Sequence, residues 1–161
     1  MIEITKYNGQ KKVLVKFLEE LQDHIIEIDP LKRFVRLPGY GERYANELIE
    51  QVNTQNGVIY LAEDKNIPVG GIIGIIEELT EKDLLECVPS KMGTILQLII
   101  TKGYRGRNIG SLLINKMEEY FHAQKCDVIY VGILEPNKRA RDFYQKKGYE
   151  NRIIEMMKKI S

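Results

Sequence analysis

Two apolar runs, TILQLII at 94–100 and DVIYVGIL at 127–134, flank a single helical pattern in which Ile109, Leu112, Leu113, Met117, Tyr120 and Phe121 recur on one face. A strand, a helix and a strand in that order leave few arrangements open. The helix must cross the sheet, the crossover is right-handed in nearly all proteins, and the two strands then lie parallel. The rest of the chain asks for antiparallel neighbours. Its spacing predicts a strand over 2–7 and a helix over 10–28 with Leu14, Phe17, Leu18, Leu21, Ile25 and Ile28 on one stripe. Asp29-Pro30 ends that helix, because proline disfavours helical torsions in the residue before it. A second helix carries Tyr44, Ala45, Leu48, Ile49 and Val52 on one face. After the Asn56-Gly57 turn, 58–64 and 67–79 read as strands joined by a tight Lys65-Asn66 connection. Asn137 is placed to start a helix and Gly148 to end it, and a last strand falls within RIIEMMKKI, 152–160. The expected order is β-α-α-β-β-β-α-β-α-β in one domain over 1–161. The fold class is α/β in its α+β form, a mixed, mostly antiparallel sheet flanked by helices, with one parallel pair.

Composition narrows the partners. A net charge of +1 gives neither nucleic acid nor a membrane surface a field to respond to. Nucleic-acid binding through Arg105, Arg107, Lys138, Arg139 and Arg141 conflicts with that balance. The opening MIEITKYNG is too polar for a leader and no apolar run approaches membrane length, so a cytoplasmic protein is expected. Cys87 and Cys126 lack paired spacing and are expected to be buried thiols in a reducing compartment. His24 and His122 stand apart from other ligand-type residues, so no metal site is expected.

The junction YRGRNIGSLL, 104–113, joins the first apolar run to the helix. A helix N-terminus leaves its first amides without intrahelical partners and carries about half a positive charge. A loop curling onto it can aim several N–H groups at one anion. Glycine lets the backbone approach a ligand, and asparagine tolerates positive φ better than other residues with side chains. Gly106, Asn108 and Gly110 fit that use, and Arg105 and Arg107 add cationic donors suited to phosphate oxygens. The spacing matches neither G-x-G-x-x-G nor a P-loop, and a plain glycine-rich turn stays open as the other reading.

Arg105-Gly106-Arg107-Asn108-Ile109-Gly110 resembles the Q/R-x-x-G-x-G/A signature of the GNAT superfamily of acyl-CoA-dependent N-acetyltransferases, with Asn108 where that family usually has glycine. A second block, Asn137, Ala140, Phe143-Tyr144 and Lys147-Gly148-Tyr149, resembles the same family on the expected helix. The resemblance covers about 94–150, and the preceding elements agree with it. It implies that strands 94–101 and 127–134 splay apart to form the cofactor cleft. It implies acetyl-CoA as cosubstrate, a primary amine of a small molecule or peptide as acceptor, and direct attack of the amine on the thioester. It further implies that the backbone of Leu98, Ile99 and Ile100 pairs with the pantetheine arm. The amides of Arg105, Gly106, Arg107, Asn108, Ile109 and Gly110, with Ser111, would hold the pyrophosphate. Asn137 would bind the lower pantetheine, and Tyr144 would protonate the leaving thiolate. By spacing alone Tyr144 is a core aromatic beside Phe143, so both roles are carried forward.

The base is not assigned by this reading. Freeing an amine of pKa near 10.4 at neutral pH costs about 4.6 kcal/mol. The strand positions where the family often has glutamate correspond to Thr94 and Gly132, which take no proton. Glu77 and Glu78 end the preceding strand on opposite faces, where one could act through water or both could be solvated. A CoA-binding regulatory module with weak catalysis is the alternative this leaves. The basic loop with Lys32, Arg33 and Arg36 and the acidic loop with Glu81, Asp83 and Glu86 do not choose an acceptor. An open sheet edge after the last helix is compatible with a homodimer.

Overall fold

The computed structural model describes all 161 residues. Its strands are β1 (Ile2–Lys6), β2 (Val58–Asp64), β3 (Ile67–Glu78), β4 (Lys91–Ile100) and β5 (Val128–Val131). Its helices are α1 (Lys11–Ile28), α2 (Tyr40–Thr54), α3 (Ile109–Ala123) and α4 (Lys138–Lys146). The sheet runs in the order β1-β2-β3-β4-β5, antiparallel except for the parallel pair β4–β5. The parallel pair is the one the α3 crossover demands. Lys65 (φ 51°) and Asn66 (φ 65°) are both left-handed, as a two-residue hairpin between right-twisted strands requires. No helix is long and apolar enough to cross a membrane.

Each face of the sheet has its own core. On one face Ile109, Leu113, Ile114, Met117 and Phe121 of α3 cover Ile72, Ile76 and Ile95. On the other, Leu14, Phe17 and Leu18 of α1 and Ala45 and Leu48 of α2 cover Ile59, Leu61, Ile73 and Ile99. Most residues of the helix spacings read from the sequence fall in these stripes, but Leu112 is exposed and Ile25 and Ile28 lie outside both cores. Gly74 and Gly93 admit α3 closely. A Cβ on Gly74 would stand 2.5 Å from the Met117 sulfur, and one on Gly93 would collide with the Phe121 ring.

β4 contains a bulge that no local pattern announces. Its register against β3 passes from Gln97↔Ile73 to Ile95↔Gly74, leaving Leu96 without an opposite residue. Side-chain alternation therefore slips by one. Ile95, Leu98 and Ile100 face the α3 core, whereas Leu96 and Ile99 face the α1/α2 core. A bulged strand bends, and pairing with β5 stops at Ile95↔Val131. This explains why β5 covers 128–131 and not the expected 127–134: from Gly132 onward it has no strand to bond.

Two further expectations are corrected. The stretch 152–160 is not a strand, since no backbone pairs with it. Cys87 is exposed, because it lies in the polar excursion between β3 and β4 and not under the sheet; Cys126 is half-buried.

Candidate functional site

At the end of β4 the chain is tied off before the glycine loop begins. Thr101 N–H and Oγ1–H both donate to the Val69 carbonyl, at 2.9 and 3.0 Å. Lys102 N–H donates to Glu20 Oε1 on α1 at 2.7 Å. Arg105 Nε–H turns back to the Ile100 carbonyl at 3.0 Å, and its Nη2 lies 3.9 Å from the same Glu20 oxygen. One carboxylate on α1 thus holds both the first amide of the turn and the guanidinium of Arg105.

Beyond that anchor the backbone opens. Gly106 (φ 78°) and Asn108 (φ 62°) are left-handed, the torsions for which glycine and asparagine are suited. The amides of Arg105, Gly106, Arg107 and Asn108 donate to no protein acceptor, and the first amide of α3 to find one is Leu112, bonded to Asn108 O at 3.2 Å. Ile109, Gly110 and Ser111 form the first helical turn, whose N–H groups have no intrahelical acceptor. A Cβ on Gly106 would meet nothing within 4 Å, so the space beside the loop is free. Seven donors thus gather at the positive end of a 15-residue helix. The arginine heads are otherwise engaged. Arg105 serves the β4 carbonyl and Glu20, and the Arg107 guanidinium lies 4.9 Å from the Tyr104 ring centroid. The donors left free in this segment are therefore the backbone amides on which the resemblance also relied, both guanidinium groups having protein partners.

The two sequence blocks meet here. A Cβ on Gly110 would stand 3.4 Å from Phe143 Cζ, so α4 seats on the start of α3. Below this seat, the fork between β4 and β5 encloses a cavity of about 110 Å³ whose lining includes Leu98, Gly132, Asn137 and Tyr144. Leu98, Ile99 and Ile100 turn their side chains into the two cores, and β4 has no strand along this edge. The Ile100 carbonyl, however, already accepts from Arg105. Asn137 Oδ1 caps α4 by accepting from Ala140 N–H at 3.3 Å.

Tyr144 is 5% exposed, and its ring packs edge-on against Phe143 and Tyr149, each at 5.2 Å. Its hydroxyl bonds to no protein group, yet no fully buried side-chain oxygen lacks a partner. The phenol tip therefore opens to the cavity its ring helps to line. Burial pushes its pKa well above the ordinary tyrosine value, so it keeps its proton at neutral pH. The packing and donor readings of Tyr144 thus describe two ends of one side chain.

A larger hollow of about 370 Å³ lies at the end of β3, bordered by Thr54, Gln55, Asn56, Glu77 and Glu78, well exposed and mostly polar. The smaller cavity, not this one, is lined by Tyr144 and Asn137. Glu77 and Glu78 part as expected: Glu78 is exposed, and Glu77 accepts a hydrogen bond from the buried hydroxyl of Thr94. Thr94 lies one residue before β4–β5 pairing ends. The Thr94–Glu77 contact and the Glu20 anchor both escaped the sequence reading, since each depends on which strand or helix lies alongside. On the α1/α2 face, Gln97 Nε2–H donates to Tyr44 Oη at 2.7 Å, and the neighbouring Tyr40 phenol is pushed by burial up to about 12.

Residues 18–149 match the model of a family described as the acetyltransferase (GNAT) family. An uncharacterised N-acetyltransferase of Methanocaldococcus jannaschii is 36% identical over 61 residues, 37% of this chain and 39% of that protein. The BH1408 protein of Bacillus halodurans, solved in mutant form, superposes with a TM-score of 0.85 at 15% identity over 99% of each chain. AAC(6')-Iy, solved with the bisubstrate analogue CoA-S-monomethyl-acetylneamine, superposes with a TM-score of 0.64 at 14% identity, again over 99% of each chain. The chain spans about two fifths of the length of the curated relatives it matches.

Proposed function

Since the chain belongs to the acetyltransferase (GNAT) family, we propose that it moves an acetyl group from acetyl-CoA to a primary amine of a small molecule or peptide. The observation that carries this reading is the row of amides from Arg105 to Asn108 that no protein carbonyl occupies, continuing into the first turn of α3 at the mouth of the β4–β5 fork. A diphosphate there would be bound by backbone donors, with Gly106 and Asn108 shaping the turn and Ser111 adding a hydroxyl. The free edge of Leu98 and Ile99 would bond the pantetheine arm as a neighbouring strand would, with the Ile100 carbonyl left to Arg105. Asn137 has its amide nitrogen to offer, its oxygen being committed to α4.

Acetyl-CoA, when bound, supplies the acyl group as a thioester whose C–S bond breaks as the C–N bond forms. Tyr144 would present its phenol O–H at the fork and give that proton to the sulfur as the C–S bond breaks, taking back the second proton of the amine as the amide forms, so that the phenol ends neutral as it began and no buried phenolate accumulates. The ammonium proton would leave to water before attack, and the Glu77 carboxylate, hydrogen-bonded to Thr94 on β4, is the candidate to receive it through that water. Support from a neighbour is of one kind: the AAC(6')-Iy structure carries a CoA-containing analogue on the same fold.

Titration with coenzyme A followed by thiol release from acetyl-CoA across an amine panel tests the reading. Saturable binding and release with at least one amine are expected. No saturable binding would overturn the assignment, and tight binding with silence toward every amine would favour a regulatory module.

A further inference from the structure

One polar side chain in the fork serves neither the cofactor nor the proton transfers. From Ile95 to Ile100, Gln97 is the only polar residue. Placing an amide in an apolar strand costs free energy unless both its ends find partners. Within the protein only one end does. Gln97 Nε2–H donates to Tyr44 Oη on α2 at 2.7 Å, and Gln97 Oε1 accepts from no protein group. Because no fully buried side-chain oxygen lacks a partner, Oε1 reaches accessible space, and the space that Gln97 lines is the fork cavity.

Its direction sets Gln97 apart from the other two polar residues of that cavity. Gln97 pairs with Ile73, a residue of the α1/α2 core, and residues opposite one another on neighbouring strands share a face. Its neighbour Leu98 pairs with Ile72 and turns to the α3 core. Gln97 therefore faces α1 and α2, and α1 brings Leu21 and Ile25 to the cavity from the same side. Asn137 and Tyr144 reach it from α4, which seats on the start of α3 beside the free amides. The Gln97 carbonyl is thus the one polar side-chain group on the side of the cavity away from the amide row. Burial raises the Tyr44 phenol above its ordinary pKa, so it stays a neutral partner, and an amide held at its nitrogen keeps its carbonyl in one direction. None of the residues lining the cavity is charged.

We propose that Gln97 Oε1 receives the acceptor: it accepts an N–H of the incoming amine and turns the nitrogen lone pair toward the thioester, with Tyr44 as the positioning residue that holds the amide. This inference rests on the acetyl-transfer reading and names its acceptor class, a primary amine on an apolar carbon chain with no charged group close to the nitrogen. A neutral carbonyl accepts an N–H without taking a proton, so it suits the uncharged amine that attacks. A carboxylate or a second ammonium carried near that amine would lose its water in a cavity of about 110 Å³ and meet no counter-charge there.

Thiol release from acetyl-CoA, with coenzyme A affinity measured alongside by calorimetry, tests the proposal on the full chain. n-Butylamine should be used at least tenfold more efficiently in kcat/KM than the same chain ending in a carboxylate or in a second amine. Gln97→Met, similar in length but without the carbonyl, should raise KM for butylamine roughly tenfold and leave coenzyme A affinity near that of the parent. Tyr44→Phe leaves Gln97 in place but free to turn, and should lower kcat/KM about threefold. Parent kinetics in Gln97→Met overturn the proposal and leave acetyl transfer standing. A preference for either charged chain does the same. If coenzyme A affinity in Gln97→Met falls as far as amine affinity, the Gln97–Tyr44 bond only ties α2 to β4, and the proposal is overturned. A parent that binds coenzyme A yet releases thiol with no amine overturns the acetyl-transfer reading, and this one with it.

Discussion

Up to Ile95, β4 has a strand on each side, and Gly93 lies under the Phe121 ring; from Leu96 onward it has β3 alone and faces an open fork. Both halves are apolar and both are bonded to β3. They differ through one extra residue, Leu96, which bends the strand and shifts its alternation. The first half is packed to the limit and can only hold the fold together. The second half keeps one edge free, and the free amides and the phenol of Tyr144 gather beyond that edge. A single backbone irregularity thus separates what stabilises from what can bind.

The comparison breaks most plainly if the first half is overfilled. Gly93→Val should push the Phe121 ring out of place and destabilise the protein by about 3 kcal/mol, measured by urea unfolding. Little loss would mean that α3 is not held by that contact. In the second half, Tyr144→Phe should keep the fold and nearly all coenzyme A affinity but lower turnover by more than tenfold. Unchanged turnover with a competent amine removes Tyr144 from the mechanism. Glu20→Ala removes the acceptor shared by Lys102 N–H and Arg105, and coenzyme A should bind roughly fivefold more weakly, about 1 kcal/mol. Glu20→Gln keeps an acceptor for Lys102 and should recover part of that loss. Equal binding by all three forms would show that the loop positions itself.

The smallest effect is alkaline. Tyr40, Tyr144 and Tyr149 have phenols raised by burial. Below pH 10 both folded and unfolded chains keep these protons, so their contribution is fully present. Above pH 10 the unfolded chain loses protons that the folded chain retains, and stability falls as pH rises, from about 10 to about 12 for Tyr40. Tyr144→Phe should make that decline shallower.

Much of this architecture was legible because its causes are local. The helix stripes of α1, α2 and α3 follow from side-chain period, the Lys65-Asn66 hairpin from left-handed tolerance, and the α4 boundaries from Asn137 and Gly148. The parallel β4–β5 pair follows from the handedness of a crossover. The segment 152–160 misled for the opposite reason: a strand-like pattern is no strand until another backbone bonds to it.

The amino-acid order by itself determined the element succession, the crossover and a loop whose torsions suit glycine and asparagine, since each rests on neighbours within a few residues. Only the tertiary structure decided that Leu96 is a bulge, that β5 ends at Val131, that Glu20 anchors the loop and that Thr94 bonds Glu77. These are contacts between distant segments, fixed by register and packing, and no local preference carries that information.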